Sequence, residues 1–296
     1  MLSWRIALGV TFTAILIGLC WLDAHAGQPG TYLLPLALLV AVAASQEVLG
    51  LLAAGALPAM PKLVYLGNAT IVLASGLAMA PDRLPAWLAA DESLIWPVAA
   101  LTLVVAVSFL VEMIRYQQPG GIVTRLAFTW FAFIYVGLLV SFLVQLRLHG
   151  ASATGMAALL SMIAVVKLGD IGAYTVGRLY GRRKLAPLLS PGKTIEGAAG
   201  GLAFSIGGAF LSLHALWPAL SAEATPPAWW ATLVYGVVVG AAGMVGDLAE
   251  SLIKRDLGQK DSSRWMPGFG GVLDLVDSLL VAAPVALVWW RICLPK

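Results

Sequence analysis

Charge is the first thing this chain lacks. Only 11% of its 296 residues are Asp, Glu, Lys or Arg, against about a quarter in an average soluble domain. So little charge cannot cover a globule. A soluble enzyme, a disordered tail and a nucleic-acid-binding domain are excluded as the main reading. Cysteine is scarce too. Cys20 and Cys293 both sit in apolar runs, far apart and without a histidine beside them. They read as small packing residues, and neither a disulfide framework nor a thiolate metal site is indicated. An internal repeat of the transporter kind is missing, and so is a Walker A loop. What is abundant is apolar sequence, 60% of residues, with a mean hydropathy of +0.90.

Nine apolar runs, separated by charge or by Pro/Gly clusters, fit membrane helices of about 20 residues each. They lie near 4–22, 32–55, 63–80, 95–114, 126–146, 153–176, 195–217, 228–252 and 272–294. The runs are continuously apolar rather than alternating, which argues against a closed β-barrel. The expected fold is all-α, a polytopic integral membrane protein with about nine transmembrane helices. The third run is the weakest, because Asn68 lies inside it. The first, with Arg5 ahead of it and Ala24-His25-Ala26 behind, has the outline of a signal peptide. Its apolar stretch is longer than usual for one, which favours an uncleaved helix.

Placing the 177–194 loop in the cytoplasm and alternating outward puts 13 of the 18 Lys and Arg on the cytoplasmic side. Arg83, Arg147, Arg291 and Lys296 fall outside, and Lys167 lies within a helix. The positive-inside rule then predicts a cytoplasmic N-terminus and an external C-terminus. Glycines 197, 200, 201, 207 and 208 line the seventh run. Such spacing lets helix backbones approach closely, and packing is their expected role.

A carboxylate at bilayer depth costs about 2.5–3.5 kcal/mol even on lenient insertion scales. This chain keeps six at or near that depth: Glu47, Asp170, Asp247, Glu250, Asp274 and Asp277. Under the predicted topology all six lie in the cytoplasmic halves of their helices, which points to a shared site. Asp247, Glu250, Ser251 and Lys254 are spaced i, i+3, i+4, i+7 and share one helix face. Asp274 and Asp277 share another. Two such faces meeting would repel unless a cation lay between them, and hard oxygen donors without thiolates suit Mg²⁺. Asp170 has a plainer reading as an ion pair with Lys167 one turn earlier. Glu47 and Glu112 read as polar anchors.

Basic loops flank these carboxylates at 178–193 and 254–264. Positive-inside topology and attraction to anionic lipid would explain basic loops alone. Order adds to this. Ser190-Pro191-Gly192-Lys193-Thr194 runs straight into a predicted helix, and a Gly, a Lys and a hydroxyl at a helix N-terminus make a seat for phosphate. Pro267-Gly268-Phe269-Gly270-Gly271 can bring backbone amides close to a ligand just before Asp274. Carboxylates for Mg²⁺, cations and Gly-rich turns at a membrane surface point to phosphoryl or nucleotidyl transfer between a soluble nucleotide and a lipid.

At this point the residues resemble a family. Ser251-Leu252-Ile253-Lys254-Arg255, Lys260-Asp261 and Pro267 to Asp274, closing at Asp277, are similar to the signature of the phosphatidate cytidylyltransferases, or CDP-diacylglycerol synthases. Gly169-Asp170-Ile171-Gly172-Ala173-Tyr174 and Ser190-Pro191-Gly192-Lys193-Thr194-Ile195-Glu196-Gly197 resemble two further stretches of that family. The resemblance covers about 165–280. It divides the chain into 1–150, membrane helices without a recognised motif, and 151–296, the catalytic helices. It implies a membrane enzyme of nine or so helices, usually a homodimer, that makes CDP-diacylglycerol and pyrophosphate from CTP and phosphatidic acid. It would sit among membrane lipids, in a bacterial inner membrane with the site facing the cytoplasm. Carried over by residue, Asp247, Asp274 and Asp277 would bind Mg²⁺, with room for a second cation. Lys254 would act with them in catalysis. Lys193, Arg255 and Lys260 would contact phosphates, and Thr194, Glu196, Ser251 and Asp170 would complete the substrate site.

Two positions depart from the family pattern. Phe269 stands where the family has His, and Leu275 where it has Arg. The change removes a hydrogen-bond donor and a cation, and it keeps open transfer to a different lipid phosphate or an inactive scaffold. A proton or ion transporter would spread its acidic residues through both membrane halves, which this chain does not do.

Overall fold

The computed structural model describes residues 2–79, 94–150, 152–221, 224–263 and 270–294. Helix dominates throughout: α1 Leu2–Ala24, α2 Leu33–Ala54, α3 Pro61–Ser75, α4 Ile95–Arg115, α5 Ile122–Ala132 and α6 Leu139–Arg147 come first. They are followed by α7 Ser152–Tyr180, α8 Ile195–Phe210, α9 Trp217–Leu220, α10 Trp229–Asp256 and α11 Val272–Cys293. Short π-helices at Phe133–Leu138 and Leu211–Leu216 join α5 to α6 and α8 to α9. Among the described residues seven helical stretches are long and apolar enough to cross a membrane, beginning at Leu33, Ile95, Ile122, Ser152, Ile195, Trp229 and Val272. Apolar side chains remain bare along them, such as Leu39, Ile114 and Val123 at 68%, 86% and 81% exposure. Water would not tolerate such surfaces over whole helices, whereas lipid does. The protein is a polytopic integral membrane protein.

The nine predicted runs all appear as helix, but two fall short of spanning length among the described residues. The third begins at Pro61, and its α-helix ends after 15 residues, continuing as a 3₁₀ turn Gly76–Met79. Fifteen residues rise about 22 Å, less than the roughly 30 Å of hydrocarbon. In α1 the described apolar stretch is Gly9–Ala24.

By packing the chain divides into two units. The first holds residues 1–148 together with 256–275, the second residues 149–255 together with 276–296. The segment 256–275 thus packs with residues that lie far from it in the chain.

Within the first unit, buried polar pairs tie helices that have little else but methyl groups to distinguish them. Arg147 Nε meets Asp23 Oδ2 at 2.6 Å with both side chains inaccessible. Asp23 also accepts from the backbone N–H groups of Gly30, Tyr32 and Leu33 at the start of α2. Arg147 is thus neutralised within the protein and carries less weight as a topological signal than an exposed arginine. Glu112 holds Arg125 through two bonds of 2.6 and 2.7 Å, the polar anchor expected of it.

In the second unit α7 and α8 lie backbone to backbone. A side chain at Gly172 would fall 2.8 Å from the Gly200 carbonyl oxygen, and one at Gly201 would fall 3.2 Å from that of Gly169. Glycines 197, 200, 201 and 208 all serve this seam, whereas Gly207 faces open space. Without a hydrophobic drive inside a bilayer, such close approach supplies the van der Waals contact that holds helices together. α10 joins through Gly236, Gly240 and Gly243, against Ile206, Ser205 and Val166.

Candidate active site

The connection between α7 and α8 is a small antiparallel hairpin, β1 Lys184–Ala186 and β2 Ser190–Thr194, with Lys184 opposite Thr194 and Ala186 opposite Ser190. Sequence patterning missed it, because strands of three and five residues, the second carrying Pro and Gly, are too short to show strand periodicity. The hairpin delivers the chain into α8 with its end capped. Thr194 has extended backbone angles, and its Oγ1 accepts from Gly197 N at 3.0 Å, the arrangement a helix N-cap requires. Glu196 reaches back, its Oε2 accepting from the backbone N–H groups of Arg182 and Arg183 at 3.0 and 3.1 Å. At the other side of the hairpin Arg255 Nε donates to Leu189 O at 3.2 Å. Thr194, Glu196 and Arg255 therefore hold the hairpin in place.

What they hold is Lys193. Its Nζ lies 2.7 Å from Asp247 Oδ2 of α10. The ammonium is buried and carries three donors, more than its ion pair with Asp247 uses. Lys193 and Asp247 line a cavity of about 430 Å³ together with Thr194, Asp170, Tyr174 and Arg178. Asp170, Tyr174, Gly177 and Arg178 follow the i, i+4, i+7, i+8 stripe of one face of α7. Arg178 Nη1 donates to Tyr174 Oη at 2.8 Å. Asp170 also pairs with Lys167 at 3.2 Å, so the ion pair and the place on the cavity wall hold together. Tyr174 and Arg178 were not singled out from the sequence as site residues. Their spacing from Asp170 was the available signal.

The other predicted residues are not on the wall of this cavity. Lys254 Nζ donates to Glu250 Oε2 at 2.7 Å, both side chains buried. Ser251 is half-buried on α10. Asp277 is buried, its Oδ1 accepting from Ser278 Oγ at 2.9 Å, and Asp247 and Glu250 are its charged neighbours. Lys260 and Asp274 belong to the first unit. Lys260 is exposed beside a separate cleft of about 170 Å³ with Gly50 and Ser263. Asp274 Oδ2 accepts from Gly271 N at 2.7 Å and from Ser262 N at 3.2 Å. Gly270 is held at φ 82°, a left-handed conformation that favours glycine, and a side chain there would run into the Asp274 carboxylate. Phe269, and with it the start of this Gly-rich turn, lies outside the described residues. Leu275 is half-buried.

Among the described residues no three acidic, His or Cys side chains converge as a ready-made metal cage. Asp170 and Asp247 nonetheless present carboxylate oxygens to one cavity. That suits Mg²⁺, which is typically held by one or two carboxylates together with substrate phosphates and water.

The sequence profile of the cytidylyltransferase family matches residues 3–293. The chain belongs to that family. This cytidylyltransferase-family chain is 31% identical over 275 residues to a phosphatidate cytidylyltransferase of Staphylococcus haemolyticus, covering 93% of the chain and 95% of the relative. It is 39% identical over 145 residues to one of Brucella suis, covering 49% and 51%. It is 42% identical over 130 residues to one of Haemophilus influenzae, covering 44% of each. Against these last two the match spans about half the length of the relative.

Proposed function

We propose that this protein transfers the cytidylyl group of CTP to phosphatidic acid, releasing pyrophosphate and leaving CDP-diacylglycerol in the membrane. The observation that carries the reading is the cavity in which Lys193 meets Asp247. A cation with unspent donors and two carboxylates face one space at the end of membrane helices, inside a chain of cytidylyltransferase ancestry.

The residues divide the task by charge. Lys193 and Arg178 bind the polyphosphate of CTP, and the capped start of α8 keeps Lys193 aimed at it. Asp170 and Asp247 would hold the Mg²⁺ that comes with the nucleotide, and the family signature adds Asp274 and Asp277 to the acidic set. Bound there, Mg²⁺ would supply neutralisation of the charge that grows on the leaving pyrophosphate. The phosphate monoester of the lipid is anionic near neutral pH, so it needs no strong base. One of its oxygens bonds to the α-phosphorus as the bond from that phosphorus to the bridging oxygen of pyrophosphate breaks. The reading includes a homodimer in a bacterial inner membrane with the site facing the cytoplasm.

The test is direct. Purified protein in detergent with phosphatidic acid, labelled CTP and Mg²⁺ is expected to yield labelled lipid and pyrophosphate. No labelled lipid from phosphatidic acid, with product from another lipid phosphate, would move the substrate. No product from any lipid phosphate with any divalent cation would leave an inactive scaffold.

A further inference from the structure

Glu47 lies on α2, in the half of the chain that carries no recognised motif, and is 7% exposed. Its carboxylate accepts from the backbone N–H groups of Val272, 2.8 Å from Oε1, and Leu273, 2.7 Å from Oε2. These are amides of the first turn of α11, which have no carbonyl within their own helix to bond. The helix dipole also favours a negative charge there. The task is usually done by a Ser, Asp or Asn at the cap position itself; here it is done by a residue 225 positions upstream of Val272.

The same carboxylate reaches the site chemistry through one hydroxyl. Ser262 Oγ lies 3.0 Å from Glu47 Oε2 and within hydrogen-bonding distance of Asp274 Oδ2. Gly271, between the cap and Asp274, has no space for a side chain, because a Cβ there would strike the Glu47 carboxylate. Buried charge is costly unless its hydrogen bonds are made; Glu47 accepts two backbone N–H bonds and shares the single Ser262 hydroxyl proton with Asp274. A residue whose only task was to join α2 to its neighbours would not need all three partners within three residues of Asp274 in space or sequence.

We propose that Glu47 is a positioning residue for Asp274, setting where α11 begins and, through Ser262, how the Asp274 carboxylate is turned. The inference rests on the reading of Asp274 as part of the Mg²⁺-binding set. It gives the N-terminal helices a part in the reaction that no motif in them announces.

The experiment uses the full chain, purified in detergent, with Glu47→Gln. Gln keeps the size but sets an NH₂ against a backbone N–H. Amide hydrogen exchange over 270–275 is expected to quicken about tenfold or more, the effect of one lost charge-assisted bond. Mn²⁺ binding, read by electron paramagnetic resonance without CTP, is expected to weaken by about the same factor. The Mg²⁺ needed for half-maximal turnover should rise while KM for CTP at saturating Mg²⁺ stays near wild type. Glu47→Asp, which keeps the charge on a shorter stem, should fall between. Ser45→Ala, on the same helix but bonded to Asn68, should change neither readout.

Wild-type Mn²⁺ affinity and Mg²⁺ requirement in a folded Glu47→Gln protein, with both lost in Asp274→Asn, would overturn the positioning role alone. Wild-type Mn²⁺ binding in Asp274→Asn would overturn the metal assignment beneath it. Should Glu47→Gln not fold, Ser262→Ala removes only the bridging hydroxyl. Weaker Mn²⁺ binding in it upholds the proposal, and unchanged binding overturns it.

Discussion

Lys193 and Asp247 are the residues on which the proposed chemistry turns, and their geometry separates two roles that a lysine near a carboxylate can play. A lysine that merely neutralises an aspartate spends its donors on it. Lys193 stands 2.7 Å from Asp247 and has three donors, so a phosphate can take those the aspartate leaves while the aspartate turns to a metal. Lys193→Met keeps the length and the apolar stem and removes the charge. We expect kcat/KM for CTP to fall about ten- to a hundredfold, the effect of one charge-assisted contact, with the thermal midpoint little changed. Kinetics with labelled CTP and a melting curve in detergent check it. Asp277→Asn is expected to abolish measurable turnover with the fold retained. Near wild-type turnover at low Mg²⁺ would remove Asp277 from the metal set. Lys254 is a different case. Its bond to buried Glu250 holds it among packed side chains, and the sequence alone, which places both on one helix face, could not say that neither lines the cavity.

At the scale of elements, the hairpin and the glycine seam explain how Lys193 is presented. α7 and α8 approach closely because glycines of one helix lie against the backbone and side chains of the other, and the hairpin that joins them is short enough to keep Thr194 at the cap. Overpacking a tight contact costs about 1–3 kcal/mol. Gly172→Ala is therefore expected to lower the thermal midpoint by a few degrees and to reduce turnover, because the new methyl meets Phe204 and the Gly200 carbonyl. Gly207→Ala, with nothing within 4 Å, should match wild type. Equal behaviour of the two variants would dissolve the seam as the organising contact. The glycine run was legible in the sequence as packing, but not which of its members pack. That depends on which side of α8 faces α7, and small residues on every side leave the rotation of the helix open until its neighbour is in place.

For the whole molecule the open quantity is orientation in the membrane. Leu188, at the turn of the hairpin, is 91% exposed. In a chain whose native Cys20 and Cys293 are replaced by Ala, Leu188→Cys is expected to react with a membrane-impermeant maleimide in inverted vesicles and not in intact cells. The opposite pattern would place the site on the outer face and contradict the positive-inside reading. Stereochemistry tests the reaction as a single event. One in-line displacement at the α-phosphorus predicts inversion with a chiral α-phosphorothioate analogue of CTP. Net retention would require a covalent nucleotidyl intermediate on a protein nucleophile.

Composition by itself determined that this protein lives in a membrane and is built of helices, because a chain with so little charge and such long apolar runs has no other way to satisfy its backbone. Local spacing determined which carboxylates share a face, since helical periodicity is a property of the chain alone. Local order also marked Ser190–Thr194 as a lead-in to a helix, although the hairpin that shapes it needs the pairing of two strands. Only the tertiary structure decided that Lys193 meets Asp247, that the α7 face bearing Asp170, Tyr174 and Arg178 lies across the cavity from them, and that Glu47 caps α11. These are contacts between segments far apart in the chain. No periodic pattern encodes them, because each depends on which helices pack together and on the rotation each adopts against its neighbour.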